Sequence, residues 1–336
     1  MFNYHEAEIF PRIVNINVLK GACPCRCVHC PVGKTKPSER EKVFGKAEMD
    51  IELFQRIALE IAEYQNCAVR IHSVGEPLLW THLPEAAGFL GEKNIQSWIF
   101  ISAVTQDKKL LKTLCDNISI IEISVNAIHP DEYLATKGVD AFATVISNIQ
   151  WMSGYIKTNQ LKTKLLLSRV ETSYKEADKT FVDYWTQTGL AADVFVRSYH
   201  NYNNLLSVRN GNSPKESCLT QLQGRNKRFR LRWRDDNVPK EPCLALWARA
   251  SIDCDGTMVC CFNELFKRYS PDVILGKLGT GVSIRHLWQS EKLHLIRACD
   301  TTGDFSSLNF QVPCKNCTSC LSMKNTENAS EKQLTS

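Results

Sequence analysis

Eight residues near the start of the chain, Cys23-Pro24-Cys25-Arg26-Cys27-Val28-His29-Cys30, bring four thiols into one loop. Core packing does not ask for thiols this close together. Disulfides do not explain them either, because Met1 to Lys20 lacks the basic start and long apolar run of a secretory signal. Soft thiolates in a short loop select zinc, copper(I) or an iron-sulfur cluster. Cys23, Cys27 and Cys30 form C-x3-C-x2-C, with no fourth ligand at a regular zinc-knuckle distance. On a four-iron cluster, three cysteines leave one iron open to a small molecule. The competing reading is a zinc site made of Cys23, Cys25, Cys27 and Cys30, which Pro24 and the one-residue separations make cramped.

A second thiol field, Cys243, Cys254, Cys260, Cys261, Cys299, Cys314, Cys317 and Cys320, lies near the other end. Of the 15 cysteines, Cys67, Cys115 and Cys218 are scattered between the two fields, unlike the uniform density of a small extracellular disulfide scaffold. Two clusters of thiols therefore point to two metal sites in a cytoplasmic protein. With 336 residues, 43% of them hydrophobic, the chain can bury one large core and a smaller lobe. No stretch is long and uncharged enough to span a bilayer. The formal charge of +5 admits an anionic substrate, and no nucleic-acid-binding motif accompanies it.

The elements between the fields must hold the first loop in place. Residues 12–18 alternate apolar and polar and end just before it, which predicts a strand with the loop at its C-terminal end. Met49 to Tyr64 has the spacing of a helix. Further strands are expected at 68–73, 97–102, 118–125, 163–170 and 192–197. Helices are expected near 83–90, 107–115, 140–154 and 175–188. Six strands alternating with helices predict an α/β fold, a partial (β/α)6 barrel with its chemistry at the strands' C-terminal ends. The expected domains are the barrel at 1–200, a connecting segment at 201–242, a small cysteine domain at 243–322 and a disordered tail at 323–336. In the connecting segment, Arg228, Arg230, Arg232 and Arg234 alternate with Phe229, Leu231 and Trp233. That run reads as a basic strand that receives an anionic group, or as an edge strand with a solvated face.

The cysteine triplet, taken with the segments at 73–77 and 122–126, resembles the radical S-adenosylmethionine (SAM) superfamily. Ser73-Val74-Gly75-Glu76-Pro77 resembles that family's Gly-Gly-Glu-Pro motif, with Val74 replacing the first glycine. The resemblance implies a [4Fe–4S] cluster on Cys23, Cys27 and Cys30, with SAM chelating the open iron. Gly75, Glu76 and Pro77 would hold the SAM amino group. Glu122-Ile123-Ser124-Val125-Asn126 is similar to a family segment that often reads Ser-Leu-Asp-Gly, so Ser124 and Asn126 are candidates for the SAM carboxylate or ribose. Ser168 and Arg169 are further candidates for the carboxylate, and His29 for the adenine. The chemistry implied is reductive cleavage of SAM leading to hydrogen-atom abstraction from a substrate, with electrons from a donor such as flavodoxin or ferredoxin.

The spacing Cys243-x12-Gly256-x4-Cys261, followed by Cys314-x2-Cys317-x2-Cys320, resembles the C-terminal auxiliary-cluster domain called SPASM in its long form and Twitch in its short one. The run C-x2-C-x5-C-x3-C of the long form is absent, which points to the single-cluster form. A hairpin from Ile252 to Val259 is expected to turn at Asp255-Gly256. The resemblance implies an auxiliary [4Fe–4S] cluster on Cys243, Cys261, Cys314 and Cys317, with Cys320 a rival to Cys317 and Cys260 to Cys261. A zinc site on the same thiolates is the alternative. Cys218, Cys254, Cys260 and Cys320 are candidate hydrogen donors if the reaction inverts a stereocentre, and Arg197, Tyr199 and His200 are candidates to face the pocket.

The expected function is oxidation or epimerisation of a small polar metabolite such as a sugar or aminocyclitol, because the first strand begins too early for a leader-peptide-binding module before it. The alternatives are a maturase of a ribosomally made peptide and a non-catalytic metal-binding interaction protein.

Overall fold

The computed structural model describes residues 8–172, 174–197, 202 and 243–317. Cys218, Cys320, Tyr199, His200, the basic run at 228–234 and the tail at 323–336 lie outside the described residues.

The strands are β1 (Ile13–Lys20), β2 (Ala68–Val74), β3 (Ser97–Ile101), β4 (Ile120–Ser124), β5 (Lys164–Val170), β6 (Asp193–Arg197), β7 (Arg249–Ile252), β8 (Thr257–Val259) and β9 (Ile274–Lys277). They form one sheet in the order β6-β5-β4-β3-β2-β1-β7-β8-β9. The first six run parallel, as a partial (β/α)6 barrel requires. The helices are α1 (Pro31–Lys34), α2 (Pro37–Phe44), α3 (Ile51–Ala62), α4 (Leu83–Glu92), α5 (Lys108–Asn117), α6 (Pro130–Lys137), α7 (Phe142–Thr158), α8 (Lys175–Thr188), α9 (Leu244–Ala248), α10 (Ile284–Trp288) and α11 (Glu291–Thr302). Sequence periodicity locates α3, α4, α5, α7 and α8. It misses α1, α2 and α6, which are four to eight residues long and have no sustained apolar stripe.

Packing follows from the alternation of side chains along each strand. The outward set, including Val14, Ile16, Val69, Ile71, Ile99, Ile121 and Leu167, joins helix residues such as Phe54, Ile57 and Ile61 in the main core. Each such side chain, fully buried, stabilises the fold by about 1.5–3 kcal/mol. The inward set begins with a separate apolar layer of Ile13, Trp98, Ile120, Leu166 and Phe195. One pleat further toward the strands' C-terminal ends the interior turns polar. There Glu122 accepts a hydrogen bond from the Ser168 hydroxyl at 2.6 Å and pairs through both carboxylate oxygens with the Arg197 guanidinium.

The C-terminal region is joined to this sheet. β7 pairs parallel with β1, Ile13 opposite Arg249 and Ile16 opposite Ile252, and the β7–β8 hairpin turns through Gly256 at φ +84°. A buried carboxylate secures the seam. Asp253 accepts from Asn17 Nδ2 at 2.7 Å, from the Tyr269 hydroxyl at 2.8 Å, and from the Lys20 ammonium. The Asn17 carbonyl in turn accepts the Val74 amide at 2.8 Å, so the contact reaches the segment just before Gly75.

Asp253→Ala leaves the largely buried Lys20 ammonium and two neutral donors without their acceptor. It is expected to cost about 3–5 kcal/mol of stability, read as a lower calorimetric unfolding temperature, with Asp253→Asn showing a smaller fall.

Candidate functional site

The cysteine loop leaves the C-terminal end of β1, and three neighbours shape it. The buried Arg40 donates from its guanidinium to the carbonyls of Cys23 at 2.7 Å, Cys25 at 3.1 Å and Thr35 at 3.3 Å. α1 starts directly after Cys30, and a Cβ on Gly33 would lie 2.3 Å from the Cys27 carbonyl oxygen, so only glycine lets it lie this close. The last turn of α6 accepts the amides of Arg26 at 2.7 Å and Val28 at 3.0 Å on the carbonyls of Lys137 and Thr136. Free helix-end carbonyls thereby order an irregular loop.

The Gly75-Glu76-Pro77 segment lies against the start of this loop. The Glu76 amide donates to the Ala22 carbonyl at 2.8 Å, and a Cβ on Gly75 would come within 2.2 Å of that oxygen. The glycine is required by close backbone approach. Val74, in place of the family's first glycine, is fully buried. The Glu76 carboxylate accepts the amides of Leu78 at 3.3 Å and Ser102 at 3.0 Å, and burial raises its pKa above the ordinary carboxylate value.

Both thiol fields line one cavity of about 1730 Å³, its solvent mouth included: Cys23, Cys25, Cys27 and Cys30 from the first, Cys243, Cys260, Cys261, Cys314 and Cys317 from the second. His29, Gly75, Glu76, Pro77, Ser124, Lys137 and Arg197 line it too. Burial and neighbouring thiols push the Cys25 thiol up to about 12 and the Cys30 thiol to about 11, while Cys27, Cys261 and Cys314 are raised well above the usual thiol value. Burial, with Lys137 and Lys34 nearby, lowers His29 to about 3 and keeps it neutral. Thiols so placed ionise when a bound cation compensates them, as metal coordination does. They line the cavity from two sides. Among the described residues no three His, Cys, Asp or Glu side chains are grouped as ligands of a single ion.

Other expected site residues are placed differently. Ser124 faces the cavity, and its hydroxyl accepts from Lys137 Nζ at 2.9 Å and from Asn126 Nδ2 at 2.6 Å. Asn126, at φ +61°, accepts the Val170 amide on its side-chain carbonyl at 2.7 Å, so its side chain braces the strand ends. Ser168 points inward but donates to Glu122. Arg169 turns to the outer face, between Glu132 at 3.2 Å and Asp178 at 3.4 Å and over the Phe181 ring, because it alternates with Ser168 along β5. It is not among the residues that line the cavity. Cys254 also lies outside the cavity lining, its thiol directed at the Ala47 carbonyl 3.7 Å away, whereas Cys260 lines the cavity. Arg197 faces the cavity as expected.

Sequence spacing does not anticipate Arg40 or Lys137. The signals for Lys137 were Pro130 at a helix start, Asp131 and Glu132 in its first turn and Gly138 at its end. Arg40 has no local signal, because its partners are backbone carbonyls.

Residues 243–320 match the SPASM family, an iron-sulfur cluster-binding domain. No curated protein sequence matches the chain. Among solved structures, SuiB of Streptococcus suis bound to the precursor peptide SuiA aligns with TM-score 0.59 and 14% identity over 85% of this chain, which spans 66% of that one. The protein anSMEcpe with AdoMet and the Cp18Cys peptide aligns at 0.57 and 14% identity, covering 96% of this chain and 95% of that one. BtrN in complex with AdoMet and 2-DOIA aligns at 0.52 and 17% identity, over 92% of this chain and 93% of its own. At these identities the likeness establishes the fold.

Arg40→Met leaves the Cys23, Cys25 and Thr35 carbonyls without their donor, at about 1–3 kcal/mol for each of the latter two, which are buried. On anaerobic reconstitution, iron and sulfide uptake by the first cysteine field is expected to fall relative to uptake by the second, as EPR of the reduced protein would resolve.

Proposed function

We propose, from the premise that this chain is a radical SAM enzyme with a SPASM domain, that it abstracts a hydrogen atom from a residue of a ribosomally made peptide. Cys23, Cys27 and Cys30 would hold the SAM-binding [4Fe–4S] cluster. Cys243, Cys261, Cys314 and Cys317 would hold an auxiliary [4Fe–4S] cluster. Together, the first cluster and SAM supply reductive cleavage of SAM and, through it, removal of a hydrogen atom from an unactivated carbon.

The chain's own residues bind and orient. Glu76, fixed by two backbone amides, presents its carboxylate to the SAM ammonium. Lys137, held on Ser124, offers a cation to the SAM carboxylate from another wall of the cavity. Gly75 keeps the backbone close enough for both groups to reach one molecule. The neutral His29 ring adds a flat face for the adenine. A substrate in the shared cavity would lie between the two thiol fields, where the second can take up or relay an electron.

The peptide reading is supported by the kind of protein that shares this fold. SuiB with its precursor peptide and anSMEcpe with the Cp18Cys peptide align at TM-scores of 0.59 and 0.57, against 0.52 for BtrN. This reverses the first expectation of a small metabolite. That reading keeps one observation in its favour, since BtrN, solved with AdoMet and 2-DOIA, is covered over 93% of its length.

Anaerobically reconstituted protein with SAM and reductant is expected to release 5′-deoxyadenosine with a short peptide encoded beside its gene and not with aminocyclitols; the opposite pattern would restore the metabolite reading. SAM affinity is expected to weaken as pH falls through the raised Glu76 pKa, since the protonated carboxyl no longer pairs with the ammonium. Glu76→Gln is expected to flatten that dependence and weaken binding about 10- to 100-fold, measured by equilibrium dialysis.

A further inference from the structure

We propose that the barrel end of the cavity is an anion site, in which Arg70, Arg197 and Arg249 bind a carboxylate of the substrate. The proposal rests on the reading that the shared cavity takes a peptide, whose anionic groups are its acidic side chains and its C-terminus.

Strand register brings the three guanidinium groups to one end of the cavity. Arg70 stands opposite Asn15 of β1 on one side and Trp98 of β3 on the other, and Arg249 of β7 stands opposite Ile13. All three arginines are half-buried and line the cavity. The Trp98 ring, part of the apolar layer beneath, lies under two of them: the Arg70 guanidinium is 4.3 Å from its centroid and that of Arg197 5.3 Å. Contact with an aromatic ring holds a guanidinium in place while its N–H groups point outward from its edge, where a carboxylate can meet them. Arg70 is fixed from the β1 side as well, since its Nη1 donates to the Asn15 side-chain carbonyl at 3.2 Å.

Charge identifies the ligand. Glu122 pairs with Arg197 below the cavity. Among the described residues that line it, the carboxylates are Glu76, which accepts the Leu78 and Ser102 amides, and Asp300, which accepts the Cys243 amide at 2.6 Å. Both lie beside the thiol fields. Lys137, the remaining cation of the lining, is held on Ser124. The barrel end thus presents three guanidinium groups beside the one Glu122 carboxylate, a net positive charge. Like charges repel more strongly in a space partly closed to water, and an anion bound among them relieves that repulsion. The two oxygens of a carboxylate match the guanidinium fork. A neutral group gives no such relief.

The test is equilibrium dialysis of the full-length holoprotein against radiolabelled glutarate, with SAM present at saturation. Glutarate is expected to bind once per chain and its neutral isostere glutaramide not to compete. Arg70→Gln and Arg249→Gln are each expected to weaken glutarate about tenfold, with Arg70→Lys intermediate and the exposed Arg285→Gln unchanged; Arg249→Gln carries the test should Arg70→Gln fail to fold. With the peptide encoded beside the gene, amidating the C-terminus in one arm and replacing its Asp and Glu by Asn and Gln in another shows which carboxylate is bound: the responsible change weakens binding to the wild type and not to Arg70→Gln. Glutarate binding that SAM abolishes, that glutaramide matches, or that both Gln variants leave unchanged would overturn the inference, even where the peptide releases 5′-deoxyadenosine and the proposed function stands. Glutarate bound as expected, with no 5′-deoxyadenosine released by the peptide, would keep the anion site and remove the peptide reading.

Discussion

β1 is hydrogen-bonded on both edges, to β2 along one and to β7 along the other, and the rest of the molecule is arranged by that pairing. The strand carries the first thiol field off its C-terminal end. β2 delivers Gly75 and Glu76 beside the loop, and β7 leads into the hairpin that precedes Cys260 and Cys261. Parallel register brings both neighbours to the same level as β1, so the two fields and the Gly-Glu-Pro segment meet around one cavity. The Asp253 carboxylate, shared by Asn17, Lys20 and Tyr269, closes the seam where the extra strands join.

Holding many thiols in a buried space is electrostatically unfavourable until a cation compensates their charge, and the raised pKa values around the cavity reflect this. The surrounding chain does not relieve that tension by pairing each thiol. It fixes the backbone that carries them. Arg40 satisfies three loop carbonyls, α6 satisfies two loop amides, and the missing side chain at Gly33 lets α1 close over the loop. The thiol side chains line the cavity, while hydrogen bonds and close packing hold the polypeptide behind them. Such a scaffold suits a site whose chemistry belongs to its cofactors.

Below the cavity, the barrel interior changes from an apolar layer to a charged one within one pleat. Glu122 is fully buried and is held by Arg197 and Ser168, while Arg197 also lies over the rings of Trp98, Phe100 and Phe195. A buried ion pair of this kind contributes little net stability. It places a polar layer between the cavity, which Arg197 lines, and the apolar layer beneath.

The sequence by itself determined whatever is local in period or spacing. The alternation of strands and helices, the C-x3-C-x2-C triplet, Gly75-Glu76-Pro77 and the turn at Asp255-Gly256 all sit where the chain's own pattern places them, because each depends on residues within a few positions. Tertiary structure decided which face each residue presents and what lies across from it. Ser168 and Arg169 are adjacent, and strand parity allows only one of them inward; that choice was made when Ser124 paired with Ser168 across β4 and β5. Cys254 and Cys260 look alike in a count of spare thiols, yet only the second reaches the cavity. Arg40 and Lys137 meet partners on other elements, the Cys23 and Cys25 carbonyls and the Ser124 hydroxyl, and the pairing of β7 with β1 joins segments more than 200 residues apart. Contacts at that separation leave no periodic trace, because they are selected by the packing of whole elements and not by the spacing of residues within one.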